Sequence, residues 1–194
     1  MKDKIINLKK SLIPLEEELL PDSNVVLSSV LMMLSHKNDE LGIYFIKRAE
    51  HPDDKFSGHI AFPGGKKKKI DNSLLDTAIR ETIEEVDVDI VKSGEVLGKL
   101  DIVNPYTPSV SHYIVRPFVS ILHEEVDFYK NYEVEDIFWI PISHLLDERN
   151  RNIRIRESEG EIINDYIFNY NQYIIWGLTG RILQQFLDKV SDIF

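Results

Sequence analysis

The chain has 194 residues, 43% hydrophobic and 29% charged, a balance that suits one globular domain with a buried core and excludes disordered and collagen-like classes. With no cysteine, disulfides and thiolate metal centres are excluded, and any metal must be held by oxygen or imidazole. A net charge of −10, from 23 basic and 33 acidic residues, argues against nucleic acid or an anionic membrane as partner, so a polyanionic substrate needs a local attractor.

Residues 1–20 place Ile5, Leu8, Leu12, Leu15 and Leu19 at helical intervals, with Pro14 as a break, and predict a leading helix. This stretch lacks the uninterrupted apolar core of a secretory signal. The apolar run 25–34 is shorter than the ~18 to 20 residues of a bilayer span. The expectation is a cytoplasmic protein without a membrane segment. A turn cluster at 21–24 precedes VVLSSVLMML and LGIYFIKR, two strands joined by HKNDE as a hairpin. HIAF is a short extended piece that runs into the loop Pro63-Gly64-Gly65. From Ser73 the period becomes helical, with Leu74, Leu75, Ala78, Ile79, Thr82, Ile83 and Val86 on one side and a capping box between Ser73 and Asp76.

Further strands are expected at 95–102 and 112–122, around the turn-rich NPYTPS, and at DIFWI. Pro141 opens a short helix through Leu146. The arginine-rich stretch and YIFNYNQY read as strands, and residues 175–190 as a closing helix with Trp176 in the core. No repeat or linker intervenes, so the fold class expected is α+β in a single domain, 1–194.

The chemistry gathers on the helix after Ser73. Glu81, Glu84 and Glu85 at i, i+3 and i+4 share an arc of about 100° opposite the apolar stripe. Carboxylates so close repel one another in low dielectric unless a multivalent cation neutralises them, and hard oxygens favour magnesium or manganese. Arg80 adjoins the arc and reaches Glu84 at i+4, placed to orient a carboxylate. A glutamate-rich face alone is ordinary solvated surface. What singles this one out is the preceding Phe62-Pro63-Gly64-Gly65 loop, where glycines let backbone approach a ligand, followed by Lys66, Lys67, Lys68 and Lys69. Arg149, Arg151, Arg154 and Arg156 read as charge compensation on an exposed strand. Tyr106 suits base stacking or surface packing, and no two histidines have metal-ligand spacing.

The string GGKKKKIDNSLLDTAIRETIEEVDV resembles the box of the Nudix hydrolase family: a Gly, an acidic residue, then Arg-Glu-x-x-Glu-Glu-x-Gly. Residues 64–87 span it. Asp71 stands for the usual Glu, one residue further from Arg80, and Asp87 replaces the closing Gly, a change that aspartate's tolerance of the left-handed region accommodates. FPGG with the lengthened spacing, Arg48-Ala49, Gly58, VRPFV at 115–119, Glu133-Val134 and YIIWGLT at 173–179 resemble the coenzyme A diphosphatase branch. Asp54 stands where that branch has a second Arg, which leaves the substrate open.

The resemblance implies an α/β/α sandwich around a mixed, curved sheet, and cleavage of the diphosphate of a small-molecule nucleotide. Coenzyme A or its thioesters, giving 3',5'-ADP and 4'-phosphopantetheine, lead; ADP-ribose or another nucleotide is the alternative, and a nucleotide sensor without catalysis the reading from another class. Glu81 and Glu85 are the implied metal ligands, with Glu84 as a third and the Gly64 carbonyl beside them. Arg48, Gly65 and Lys66 are candidate substrate contacts. Glu81 or Glu84 is the implied base, Glu133 the alternative. The resemblance leaves room for a homodimer.

Overall fold

A computed structural model describes residues 2–16, 25–52, 56–106, 112–158 and 161–194. Strand β1 (Val26–Lys37) is a near-continuous apolar run buried on both sides, as a central strand must be. It turns through Asn38 and Asp39, at φ 50° and 64°, the left-handed pair of a two-residue hairpin, into β2 (Glu40–Arg48). The expected hairpin is therefore present, but its strands pair only as far as Leu34 and Ile43. There they part. β1 takes β4 (Gly64–Lys66) in antiparallel register, whereas β2 takes β3 (Ile60–Ala61) and β7 (Val134–Pro141). The other edge of β1 carries β6 (Tyr113–Leu122) in parallel, and β5 (Gly94–Lys99) pairs with β6. The result is a mixed seven-stranded sheet in the order β3-β2-β1-β6-β5, with β4 and β7 off that path.

Alternate residues of β1 feed two cores. Leu31 and Met33 pack beneath α2 (Leu74–Val86) and α3 (Ile90–Ser93). Met32 and Leu34 face the opposite layer, built from α1 (Lys2–Ser11), the short α4 (Ile142–Leu146) behind Pro141, and α5 (Gly177–Val190). A three-stranded sheet, β8 (Arg151–Ser158), β9 (Glu161–Tyr170) and β10 (Tyr173–Ile175), flanks α5. The fold is α+β, as expected, with helices on both faces of the mixed sheet.

Three local expectations change. The leading helix ends at Ser11, because Ile13 exchanges backbone hydrogen bonds with Lys99 (3.0 and 2.9 Å) ahead of Pro14. The closing helix starts at Gly177, because Ile175 is paired with Phe168 in β10. Trp176 is not core: it caps α5 with 41% of its surface exposed. The arginine series behaves as expected, with Arg149 on Asp147, Arg151 on Glu148 and Arg154 on buried Asp165. Tyr106 packs, with the Arg181 guanidinium 3.8 Å over its ring. Leu19, the turn at 21–24, Asp54 and the Arg156 side chain lie outside the described residues. Among those described, no helix is long and apolar enough to cross a membrane.

Candidate active site on helix α2

Helix α2 begins where the sequence places it. Ser73 accepts from the Asp76 amide (3.0 Å) while the Asp76 carboxylate accepts from the Ser73 amide (3.1 Å), a closed capping box. At the other end Asp87 takes the left-handed conformation (φ 59°) and its amide donates to the Ile83 carbonyl, the part glycine plays in the family box. Leu74, Ala78 and Val86 anchor the helix on the sheet, and Ser29 of β1 donates to the Leu74 carbonyl at 2.7 Å.

The carboxylates are not on an arc opposite the buried stripe. Strand β4 lies across that side of α2, and having no side chains at Gly64 and Gly65 it comes close enough to cover it. The Gly64 amide donates to Glu85 at 2.9 Å, and Glu85 is only 3% exposed. A Cβ on Gly65 would fall 2.6 Å from the Glu81 carboxyl carbon. At Gly64, φ 157° and the Ser29 carbonyl both exclude a side chain. Glu81 and Glu85 thus meet the glycine strand one turn apart, while Glu84 points outward. On the opposite edge of the stripe, Ile83 is exposed.

Burial pushes the Glu85 carboxyl up to about 8, against the Gly64 hydrogen bond, which favours the charged form; the negative charges of Glu81 and Glu133 raise it further and the positive charge of Arg48 lowers it. Arg48, the last residue of β2, and Glu133, just ahead of β7, are thus among the charges felt by this carboxylate. The Ala49 amide donates to the Glu133 carbonyl at 2.8 Å, joining the two ends. Glu84 is held below the usual range although burial acts the other way, because Lys68 (3.0 Å) and Arg80 (3.1 Å) bond to it.

Arg80 ties these parts together. It bonds Asp71 through Nε and Nη2 (2.8 and 2.9 Å), Glu81 (2.6 Å), Glu84 (3.1 Å) and the Lys66 carbonyl (3.1 Å). Asp71 also accepts from the Lys68 amide (2.8 Å) and the Thr77 hydroxyl (3.0 Å), and the Arg80 bond drives its carboxyl far below the ordinary carboxylate range despite burial. Asp71 is therefore a buried anchor that residue-by-residue reading passed over; its place as the acidic residue of the box was the available signal. Of the lysine run, Lys68 alone meets a carboxylate of the helix. The Lys66 ammonium lies 5.1 Å over the Tyr113 ring, and Lys67 bonds the Asp71 carbonyl. The exposed Tyr132 shares a side-chain hydrogen bond with its neighbour Glu133, which raises its hydroxyl above the usual range.

The NUDIX domain profile matches residues 27–159, from β1 through the carboxylate helix to the end of β8. The chain belongs to the Nudix hydrolase family. Among curated relatives, proteins of Yersinia pestis and Yersinia pseudotuberculosis named "Uncharacterized Nudix hydrolase NudL" are 38% identical over 147 residues, 75% of this chain and 70% of theirs. Among solved structures, a MutT/nudix family protein from Enterococcus faecalis superposes with TM-score 0.62 at 18% identity, covering 91% of this chain and 66% of that one. The chain thus spans just under two thirds of that neighbour's length. The NUDIX domain of Shewanella oneidensis NrtR, crystallised with ADP ribose, gives TM-score 0.52 at 20% identity, over 64% of this chain and 78% of that domain. These two likenesses are ones of fold.

Nudix hydrolases work with divalent metal ions, and the site fits one in part. Glu81 and Glu85 supply hard oxygens at a glycine strand that admits close approach. Yet among the described residues no three acidic or imidazole groups converge with metal-ligand spacing, since Glu84 is engaged by Lys68 and Arg80. Two cavities of about 330 and 420 Å3 open beside α5 and include none of the Nudix box residues.

Proposed function

We propose that this chain is a magnesium- or manganese-dependent diphosphatase that cuts the phosphoanhydride of a nucleoside diphosphate derivative, with coenzyme A or its thioesters as leading substrate. The observation that carries the reading is the meeting of Glu81 and Glu85, one turn apart, with Gly64 and Gly65, while Arg80 holds Glu81. Glu81, Glu85 and the Gly64 carbonyl would hold the metal, with Glu84 joining them by exchanging its Lys68 and Arg80 partners. When bound, the metal supplies charge neutralisation at the diphosphate and a lowered pKa for water.

The chain's own residues do the rest. Arg80, fixed on Asp71, orients Glu81 and Glu84. Arg48 brings positive charge beside Glu85, where a phosphate oxygen can be gripped, and Gly65 gives it room. Glu81 or Glu84 takes the proton of the attacking water, with Glu133 across the cleft as the alternative base. The coenzyme A assignment rests on the branch resemblance at 48–49, 58–65, 115–119, 133–134 and 173–179.

The test is product analysis by mass after incubation with magnesium and coenzyme A, ADP-ribose or nucleoside triphosphates, with Glu85→Gln as control. Release of 4'-phosphopantetheine, lost in the variant, is the expected result. Cleavage of ADP-ribose alone would replace the substrate and keep the chemistry. Tight nucleotide binding without turnover would make the protein a sensor.

A further inference from the structure

A second feature stands where β3 begins, beside Arg48. Ile46 is paired with Ala61 and Lys47 with Ile60, and the Arg48 amide donates to the carbonyl of His59, just ahead of β3, at 3.0 Å. Ala61 packs into the core beneath α2, whereas Trp176 follows Ile175 of the core beneath α5, so the rings gather at the β3 edge of the sheet, between the two layers. His59 is not isolated there. The Trp176 ring lies 4.8 Å from it, tilted by 52°, and Phe56 meets its other side edge-on at 5.9 Å. Trp176 comes from the α5 N-terminus, just after β10, which lies alongside β3.

A large indole left 41% exposed is held in place by neighbouring rings rather than buried for packing. The distance suits a nucleotide. Five residues of extended chain, at most about 17 Å, separate His59 from Gly64, the strand residue bonded to Glu85. A phosphate at Glu81 and Glu85 would have its sugar near Arg48 and its base near the rings. Resting on the proposed diphosphatase reading, we infer that Trp176, backed by His59 and Phe56, is the platform on which the nucleobase of the substrate stacks. Stacking of this kind accepts any base face, so it selects nucleotides over sugar phosphates without demanding one base.

Trp176 is one of two tryptophans in the chain, and the other, Trp139, is half-buried against the core beneath α2 with its indole N–H turned to the Ser35 carbonyl. Emission excited beyond adenine absorption is followed while AMP is added to the full-length protein, with ribose 5-phosphate as the baseless control. Saturable quenching by AMP alone is expected, absent in Trp176→Leu. In the hydrolysis assay Trp176→Leu should raise KM roughly tenfold while kcat moves far less, and Trp176→Phe should restore KM. Equal quenching by ribose 5-phosphate, an unchanged KM in Trp176→Leu, or failure of Trp176→Phe to restore it, overturns the inference. If AMP quenches Trp176 in a protein that hydrolyses no diphosphate, the stacking site stands and the diphosphatase reading falls.

Discussion

Glu85 is the residue whose setting departs furthest from a surface glutamate. Its carboxyl ionises near 4.5 in an unfolded chain and is pushed up to about 8 in the fold, chiefly by burial. Between those values the folded state binds a proton that the unfolded state has released, so stability falls as pH rises through the window. Asp71 does not offset this: its carboxyl lies below the usual range, so its contribution is lost only in acid and is constant from pH 4.5 upward. Urea unfolding with a chelator present should show a loss on the order of a few kcal/mol between pH 5 and pH 8. Glu85→Gln, which keeps an acceptor for the Gly64 amide, should remove most of that slope and be the more stable protein at pH 8. A wild-type midpoint independent of pH would refute the burial argument. Periodicity located Glu85 and not its burial, because a helical wheel assigns angles while what covers each angle depends on a strand paired elsewhere. Trp176 failed in the opposite sense: an aromatic at a helix start reads as core until the rings beneath it are known.

At the scale of elements, the candidate site is a strand laid on a helix. β4 carries no side chain at two of its three positions; the gap at Gly65 is filled by Glu81 of α2 and the one at Gly64 by Ser29 and Val30 of β1. Gly65→Ala would place its Cβ against the carboxyl end of Glu81, a flexible terminus that can yield, so the fold should hold while Glu81 is displaced. The expected result is a kcat lowered on the order of a hundredfold, the scale of an ångström-sized misplacement, with an unchanged thermal midpoint. A fall in the midpoint with normal specific activity would show instead that the glycine serves packing. The sequence was most legible for α2, where the capping box, the left-handed Asp87 and the apolar spacing are local signals. It was less so for the ends of α1 and α5, which are set by pairing of Ile13 with distant Lys99 and of Ile175 with Phe168 in a tight hairpin, neither of which helical periodicity reports. The mixed sheet depends on distant pairing, of β1 with β6 and β2 with β7, whereas β8, β9 and β10 pair with their neighbours in the chain.

Across the whole molecule, the sheet separates a core beneath α2 from a larger one beneath α5. Phe186, fully buried in the latter, can be cut to alanine as a test of that separation. Phe186→Ala should cost about 3 to 5 kcal/mol, lowering the melting temperature by roughly 10 °C, yet leave kcat at 20 °C within about twofold of wild type. A kcat that collapses with the core would mean that the two layers are coupled. The strand character of the glycine segment bears on motion as well. Its ends are fastened to β1 by the Leu31 amide on the Pro63 carbonyl and the Lys67 amide on the Leu27 carbonyl, both at 2.8 Å. A segment so tied opens only with the sheet. Any opening for a ligand beside Glu81 and Glu85 would then have to come from side chains around the strand, not from a swinging glycine loop.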